Sequence, residues 1–488
     1  MEKGGHEVGV MGSPASLGKA TSYEGTGILQ PLDPQIVGKL RRKMDLILLP
    51  TLAVMYTFNS LDRSNLGNAR TAGLEKDLKM KGDQYNLLLT SYYIVFCLFG
   101  PVMAVFTRVA TAKVALPCMM LAFGVASAAT AATKNFEGLL ACRIFVGIFE
   151  SGFLASVVFY LSKWYTRAEI ASRIAVFYAG TVVASAFGGL LAYGVFQITG
   201  GALHVWAYLF ILEGCMTCLI AIAAYFILPG DIGDAYFLTP TEKKIATARM
   251  QMDATQVQAP NFIWSEALSE FRTIHAYARI LIAVACGLLP QSSANFLAIM
   301  TVRLGYSVAK TNLYTVAPAV TATAFVLAFA YSSDHFRERG FHMAVPCAIG
   351  MIGYIILIAV HVETHKGIGY LAIFFCTTGA YPMAVIFSAW TVANIPNLNA
   401  RALTTGILLS ISNATGLVTS NIFLSREAPK YMTALIVNTT FSALGMGFVV
   451  SYSLYLRLLN RALATNDRPG GLFGEDKLDR GEGFRFQP

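Results

Sequence analysis

The sequence has little charge for its length: only 13% of its 488 residues are Asp, Glu, Lys or Arg, whereas 55% are hydrophobic. A soluble domain usually has a charged fraction of about 25%. The uncharged residues are gathered in runs of roughly 20 residues, which is the length that spans the hydrocarbon core of a bilayer. The composition therefore excludes an ordinary soluble protein and predicts a polytopic membrane protein.

Several kinds of chemistry lack their usual residue patterns. The 8 cysteines all lie in apolar runs, where a thiol behaves as a small hydrophobe, so we expect no disulfide framework. Cys215-x-x-Cys218 has no second cysteine pair or histidine cluster, and we interpret it as helix packing and not as a metal site. No His-rich metal set or nucleophile elbow is present, which argues against an enzyme. We expect no cofactor.

The net charge of +9 does not indicate nucleic acid as a partner, because the basic residues are spread over many loops instead of one arm or helix. Most of the 37 lysines and arginines fall in loops on one predicted side, and this asymmetry places both termini in the cytosol. Residues 1–43 are rich in Gly, Ser and Pro, show no signal peptide and are expected to form a disordered cytosolic tail.

Twelve apolar runs predict an all-α membrane protein with twelve transmembrane helices. The long connection between the sixth and seventh runs divides the chain into two six-helix halves. A six-plus-six layout with a cytosolic middle loop, in which the halves are pseudo-repeats, is typical of the major facilitator fold. The runs cover residues 44–62, 84–107, 114–132, 138–160, 172–197, 206–228, 279–300, 312–332, 341–361, 367–391, 402–424 and 431–456. The predicted units are a tail at 1–43, bundles at 44–228 and 279–456, a central cytosolic loop at 229–278 and a cytosolic tail at 457–488.

Arg143 and Glu150 interrupt the fourth run, which otherwise resembles a plain membrane span. Seven residues are close to two helical turns, so both residues share one stripe of the helix with Gly147. The rise between them is about 10 Å, which is too far for a direct ion pair. Because a charge at a helix centre costs roughly 2.5–3.5 kcal/mol, we expect each to have a partner on another helix.

Several segments, in order along the chain, carry a family resemblance. They are Leu61-Asp62-Arg63-Ser64-Asn65-Leu66-Gly67-Asn68-Ala69, Arg143-x-x-x-Gly147-x-x-Glu150-Ser151-Gly152-Phe153, Lys163-Trp164-Tyr165-Thr166-Arg167-Ala168-Glu169, Trp206-x-x-Leu-Phe-Ile-Leu-Glu213-Gly214, Phe237-Leu-Thr-Pro-Thr-Glu242, Leu304-Gly305-Tyr306-Ser307, Trp390-x-x-Ala-Asn394 and Ala428-Pro429-Lys430-Tyr431. The chain resembles the anion:cation symporter family of the major facilitator superfamily, of the fungal allantoate, nicotinate, pantothenate and biotin permease type. The resemblance covers roughly residues 40–460.

The resemblance implies roles for the charged residues. Arg63 would bind the substrate carboxylate, which a guanidinium matches bidentately, and Asp62 would take part in proton coupling. Glu150, with Arg143, would carry the coupled proton. The alternatives are a solvated helix end for Asp62 and Arg63, and a purely structural polar network for Arg143 and Glu150.

Other polar residues in the spans have less specific interpretations. Tyr92 and Tyr93 are candidates to close a pocket over the substrate. Asn394 and Asn413 either contact the substrate or hold helices together, and the sequence leaves both alternatives open. Glu213 lies early in the sixth run, where its side chain could snorkel toward the interface, and we interpret it as structural.

Two further features concern the conformational change and the direction of transport. Asp334, Arg337 and Arg339 follow the eighth run and resemble the superfamily's acidic-basic loop signature, so we interpret them as a conformational latch. In the fifth run, Ala184-Ser185 stand where proton-driven drug antiporters of the superfamily have Gly-Pro. The missing helix-breaking proline favours uptake over drug export.

These features together predict a proton-coupled symporter that carries a small organic anion by alternating access. The anion is expected to be a carboxylate such as a vitamin or a nitrogenous acid. The family resemblance favours a monomer in the plasma membrane, and protons and the lipid bilayer are the other expected partners. The alternatives are an exporter of an acidic secondary metabolite and a non-transporting nutrient sensor with a carrier fold.

Overall fold

The computed structural model describes residues 34–465, with gaps, and residues 485–488. The gaps are residues 72, 82–83, most of 182–202, 254–261, 303, 305–307, 363, 423–426 and 428–429. Some helical residues, including Arg63, are described for their backbone only. The expected disorder of residues 1–33 and the nature of residues 466–484 lie outside the described residues.

Long helices build the described part of the chain, and short helical turns connect some of them. We label the helices α1 Pro34–Thr71, α2 Gln84–Ala110, α3 Ala112–Thr130, α4 Phe136–Glu150, α5 Phe153–Trp164, α6 Ile170–Tyr178, α7 Val205–Ile227, α8 Pro240–Asp253, α9 Ile274–Val302, α10 Val308–Phe336, α11 Gly340–Ala359, α12 Lys366–Ala393, α13 Leu398–Ile422 and α14 Met432–Thr465.

Eleven helical segments among the described residues are long and apolar enough to cross a membrane. Each corresponds to one predicted span, and α4 and α5 together form the fourth. The remaining predicted span, residues 172–197, begins in α6 and continues into the region that is mostly outside the described residues. The predicted all-α membrane fold is confirmed.

The first and last helices of the chain, α1 and α14, are longer than the hydrophobic runs that predicted them. α1 begins at Pro34, inside the segment that we expected to be a disordered tail, and Leu40 is buried in the core. Arg41 forms an ion pair with Glu169 at 3.3 Å, so this first part of α1 is fastened to the connection before α6. The predicted tail boundary at residue 43 was therefore wrong for residues 34–43, because helical packing continues past the apolar run.

The fourth span is broken where the sequence predicted one continuous helix. α4 ends at Glu150 and α5 begins at Phe153, with a turn at Ser151 and Gly152 between them. A Cβ at Gly152 would collide with the Cβ of Met103 on α2. The glycine therefore lets α2 cross the chain at this break.

Polar contacts join the two halves at the end of the bundle where α1 begins and α14 ends. We call this the inner end, since the sequence predicts that it faces the cytosol. The Arg108 guanidinium donates to Asn399 Oδ1 at 3.1 Å, which joins α2 to α13. Arg401 donates to the Ser162 hydroxyl at 3.3 Å, which joins α13 to α5.

Small residues allow α3 and α7 to pack closely, as is common between membrane helices. A Cβ at Gly214 on α7 would lie 2.6 Å from the Cβ of Ala128 on α3. A Cβ at Gly124 would lie 2.9 Å from Thr217 Cγ2. This contact fixes the position of α7 relative to α3, and with it the side chains next to Gly214.

We expect Gly214→Val to lower the thermal unfolding temperature of the purified protein in detergent by several degrees. Overpacking of this kind costs about 1–3 kcal/mol. Gly447→Val is the matched control, because a Cβ at Gly447 on α14 meets no atom within 4 Å. Equal unfolding temperatures for the two variants would contradict the close packing of α3 on α7.

Candidate functional site

One face of α4 carries the polar groups around which the site is built. Asn135 caps the start of the helix, and its side chain accepts a hydrogen bond from the Gly138 N–H at 3.0 Å. This cap fixes where α4 begins. Arg143, Gly147 and Glu150 are all buried on its inward face, so the predicted stripe is present.

The first group of buried charges joins α1, α4 and α7. Arg143 Nη1 lies 3.7 Å from Asp62 Oδ2, and both side chains are 4% exposed. The Ser127 hydroxyl on α3 donates to Asp62 Oδ1, and the Arg143 guanidinium carbon lies 5.2 Å from the centre of the Phe210 ring. Glu213 acts electrostatically on this pair. We call Asp62, Arg143 and Glu213 the ion cluster.

Glu213 is buried more deeply than its sequence position suggested. It is 2% exposed, so its side chain does not snorkel toward the interface. Neither of its carboxylate oxygens has a hydrogen-bond partner in the part of the chain that the structure describes. The close contact of Gly214 with α3 holds this turn of α7 inside the bundle.

Glu150 has a different partner, on α2. The Tyr92 hydroxyl donates to Glu150 Oε2 at 2.8 Å. A Cβ at Gly147 would lie 3.2 Å from the Tyr92 carbonyl oxygen, so the absence of a side chain there lets α2 approach α4. The expectation that Arg143 and Glu150 take partners from other helices is confirmed.

Polar side chains of the second half approach Tyr93, the residue of α2 that follows Tyr92. The Tyr93 ring packs edge-on against Tyr92, with 5.4 Å between the ring centres. Gln291 Nε2 on α9 donates to Asn413 Oδ1 on α13 at 3.0 Å. A Cβ at Gly416 would lie 3.4 Å from the Tyr93 ring and 3.6 Å from Gln291 Oε1.

These side chains form a polar and aromatic group that crosses from one half of the chain to the other. We call it the central band, and it consists of Glu150, Tyr92, Tyr93, Gln291 and Asn413. The structure thus brings together four residues that the sequence analysis selected. Gln291 was missed, although a glutamine inside an apolar run was a signal that could have found it.

Two asparagines of α1 were also missed. Asn59 and Asn65 lie three residues before and after Asp62, so the three side chains share one face of the helix. Both are fully buried, and their amides have no hydrogen-bond partner among the residues described. Buried amides are normally paired, so the described residues leave hydrogen-bonding capacity for water or a ligand on this face of α1. Their regular spacing about Asp62 was the available signal.

Two predicted substrate-binding residues are not part of this arrangement. The Arg63 side chain lies outside the described residues, although its backbone is helical. Asn394 is at the inner end, where its Nδ2 donates to the Gln487 carbonyl at 3.0 Å and its Oδ1 accepts from the Gln487 N–H at 2.8 Å. The Asn394 amide is therefore bonded to a segment far along the chain, and Asn394 is not grouped with the central band.

Two of the three predicted latch residues lie between the halves. Asp334 accepts hydrogen bonds from the N–H groups of Ala171 and Ser172, at 3.2 Å and 2.7 Å, at the start of α6. Arg339 forms an ion pair with Asp334 at 2.7 Å. Burial lowers the pKa of the Arg339 guanidinium from its ordinary value, and the Asp334 carboxylate acts in the opposite direction. Arg337 is exposed, with a φ of 54°.

A family model that matches most of the chain identifies the family. The family model described as Major Facilitator Superfamily matches residues 52–420, which is more than half of the chain. The chain belongs to the major facilitator superfamily. It is 41% identical over 437 residues to the MFS-type transporter efuF of Hormonema carpetanum, covering 89% of each chain.

Other members of the superfamily are also similar. The chain is 37% identical to the major facilitator-type transporter hxnP of Emericella nidulans, over 86% of each chain. It is 29% identical to the high-affinity nicotinic acid transporter of Saccharomyces cerevisiae, over 96% of this chain and 88% of the relative. We conclude that the protein is a membrane transporter of the major facilitator superfamily.

Solved structures agree on the fold. The proton:xylose symporter XylE matches with a TM-score of 0.60 at 14% identity, over 84% of this chain and 95% of that chain. The human organic anion transporter MFSD10 matches with a TM-score of 0.53 at 14% identity, over 86% of this chain and 99% of that chain. At these identities the similarity establishes the major facilitator fold and nothing further.

Proposed function

We propose that this transporter is a proton-coupled symporter for a small organic carboxylate, of the anion:cation symporter type. The observation that carries the proposal is the set of acidic and basic side chains buried between its helices: Asp62, Arg143, Glu150 and Glu213. Ionisable groups inside a membrane protein are costly and usually mark an ion or substrate pathway.

The unused donors of Arg143 support an anionic substrate. Its Nε and Nη2 have no hydrogen-bond partner among the described residues. Its acidic partner, Asp62, is 3.7 Å away, which is longer than a close charge-assisted hydrogen bond. Arg63, next to Asp62 in sequence, would add a second guanidinium for the carboxylate.

The central band supports a flat or ring-shaped carboxylate. The Tyr92 and Tyr93 rings offer aromatic surface, and Gln291 and Asn413 offer amide groups. The similarity to a nicotinic acid transporter supports the same class, since nicotinate is an aromatic monocarboxylate.

Glu150 is the proposed carrier of the coupled proton. Its Tyr92 partner packs against Tyr93, which lies between the two halves, so an anion bound at the central band would act on Glu150 at short range. A nearby negative charge favours the protonated form of a carboxyl group. Substrate and proton therefore favour each other's binding, and this coupling is reciprocal.

The proposed cycle is alternating access by two units, residues 44–228 and 279–456, that rock about the central band. The latch at Asp334 and Arg339 would break and re-form as the inner end opens and closes. We propose a monomer in the plasma membrane with both termini in the cytosol, as the basic loops indicate.

We expect uptake of labelled nicotinate into proteoliposomes to rise as the external pH falls, because protonation of Glu150 from outside promotes anion entry. Glu150→Gln mimics the protonated group, so it should keep the exchange of internal for external nicotinate but accumulate clearly less nicotinate than the wild type for the same pH gradient. Glu137→Gln, an exposed residue of α4, is the matched control. No uptake at any pH by the wild type would contradict the proposed function. A Glu150→Gln protein that accumulates as much nicotinate as the wild type would contradict the role of Glu150.

We expect Asn413→Ala to raise the KM for nicotinate by about tenfold, the effect of losing roughly one hydrogen bond of 1–1.5 kcal/mol. Asn421→Ala is the matched control on the same helix. Both amides donate to the carbonyl four residues earlier, at 2.8 Å for Asn413 and 2.7 Å for Asn421, but Asn421 is exposed. If both variants had the wild-type KM, Asn413 would not contact the substrate.

A further inference from the structure

We propose a second proton-binding site at Glu213, separate from Glu150, so that two protons enter with each anion. This inference rests on the proposed proton coupling and extends it. Its basis is the composition of the ion cluster, which contains two carboxyl groups and one guanidinium. With Arg63 balanced by the substrate carboxylate, ionisation of all three groups would leave a net charge of minus one in a buried site, which is strongly unfavourable.

The contacts indicate which carboxyl group holds the proton. Asp62 has the Ser127 hydroxyl on one oxygen and Arg143 near the other. Both oxygens of Glu213 are buried and have no hydrogen-bond partner in the described part of the chain. Of the described ionisable groups, Asp62 and Arg143 act on Glu213, and α3, which packs along α7, contributes no charge there. Glu213 is therefore the neutral member in this conformation.

The position of Arg143 allows that proton to be exchanged. Its guanidinium lies over the Phe210 ring, and Phe210 and Glu213 are three residues apart on one face of α7. The guanidinium therefore lies close to both carboxyl groups, and its distance of 3.7 Å from Asp62 leaves it free to change partner. When α4 moves and Arg143 turns to Glu213, the charged carboxylate is favoured and the proton leaves to the side that is then open.

Proton stoichiometry tests this site without depending on transport rate or protein amount. In proteoliposomes held at zero membrane voltage, the equilibrium accumulation of nicotinate should rise about hundredfold per unit of pH gradient for two protons, and about tenfold for one. We expect about hundredfold for the wild type and about tenfold for Glu213→Gln. Glu137→Gln should behave as the wild type.

A wild-type ratio of about tenfold, or a Glu213→Gln ratio equal to that of the wild type, would overturn the second site. If Glu213→Gln does not fold, a wild-type ratio of about tenfold still overturns the second site. A wild type that does not respond to pH would instead contradict the proposed function, so the two failures are distinguishable.

A different observation concerns residues 485–488, which we call the strap and which are bound at the inner end. Phe486 is 5% exposed, and its ring centre lies 4.9 Å from that of His275 on α9. Its N–H donates to Asn460 Oδ1 at 2.9 Å, and its carbonyl accepts from Asn460 Nδ2 at 2.8 Å. The Trp390 indole N–H donates to the Gln487 carbonyl at 2.8 Å. The strap is thus held by α9, α12 and α14 of the second half.

The strap also contacts the groups that join the two halves. The Pro488 carbonyl accepts from the Arg339 N–H at 2.8 Å, and Gln487 Oε1 accepts from Arg339 Nε at 3.4 Å. The Arg485 carbonyl accepts from Arg167 Nη1 at 3.1 Å, on the first-half side. Arg339 itself donates to the Arg167 carbonyl at 2.5 Å. We infer that the strap stabilises the conformation in which the inner end is closed, and that its release favours opening.

A cysteine reporter tests this inference from the inner side. Ala402 on α13 is fully buried against Phe159 of α5, at the contact between the halves. In inside-out vesicles, Phe486→Ala should raise the rate at which a membrane-impermeant maleimide labels Ala402→Cys by at least about fivefold, since a buried Phe side chain contributes substantially to docking. The labelling of the same protein without Ala402→Cys is subtracted as background.

Leu458→Ala is the matched control, because Leu458 on α14 is 62% exposed. Gln487→Ala, which removes the side-chain contact with Arg339, should raise labelling in the same direction and serves if Phe486→Ala does not fold. Unchanged labelling in both variants would overturn the inference, even if their unfolding temperatures fell. A strap with a merely structural role would contribute to stability without changing the balance between the open and closed conformations of the inner end.

Discussion

Charge buried in an apolar bundle is the constraint on which the rest of this structure depends. Arg143 and Glu150 lie where lipid-like surroundings offer no compensation, so each requires a polar partner from another helix. Asp62 on α1 and Tyr92 on α2 supply these partners. The three helices must therefore approach closely, and the absence of a side chain at Gly147 allows α2 to do so. Packing around α4 is set by its charges as much as by its apolar surface.

The same stripe of α4 connects the two parts of the site. Arg143 belongs to the ion cluster and Glu150 to the central band, about two helical turns apart on one rigid helix. A displacement of α4 that changes the partner of Arg143 must also move Glu150 relative to Tyr92. This shared helix connects the proposed proton sites to the proposed substrate site without a long chain of intermediate contacts.

The inner end is held differently from the interior. Its contacts between the halves include hydrogen bonds, such as that of the Ser172 N–H on α6 to Asp334 and that of Arg339 to the Arg167 carbonyl. Polar groups at an end that opens to water exchange protein partners for water at modest net cost. Such contacts suit an interface between the halves that must break and re-form, whereas a fully apolar interface would resist the entry of water. The strap adds polar and aromatic contacts to this interface.

The sequence by itself determined the membrane class and its spans, because the bilayer fixes the length of an apolar helix. It also determined that Arg143 and Glu150 share one face, because helical spacing is local. Their partners were visible only in the tertiary structure, which also showed that the Asn394 amide is bonded to Gln487, 93 residues further along the chain. The reason is that spacing along a helix fixes which side chains point the same way, whereas the helix or segment that they meet depends on how distant parts of the chain pack.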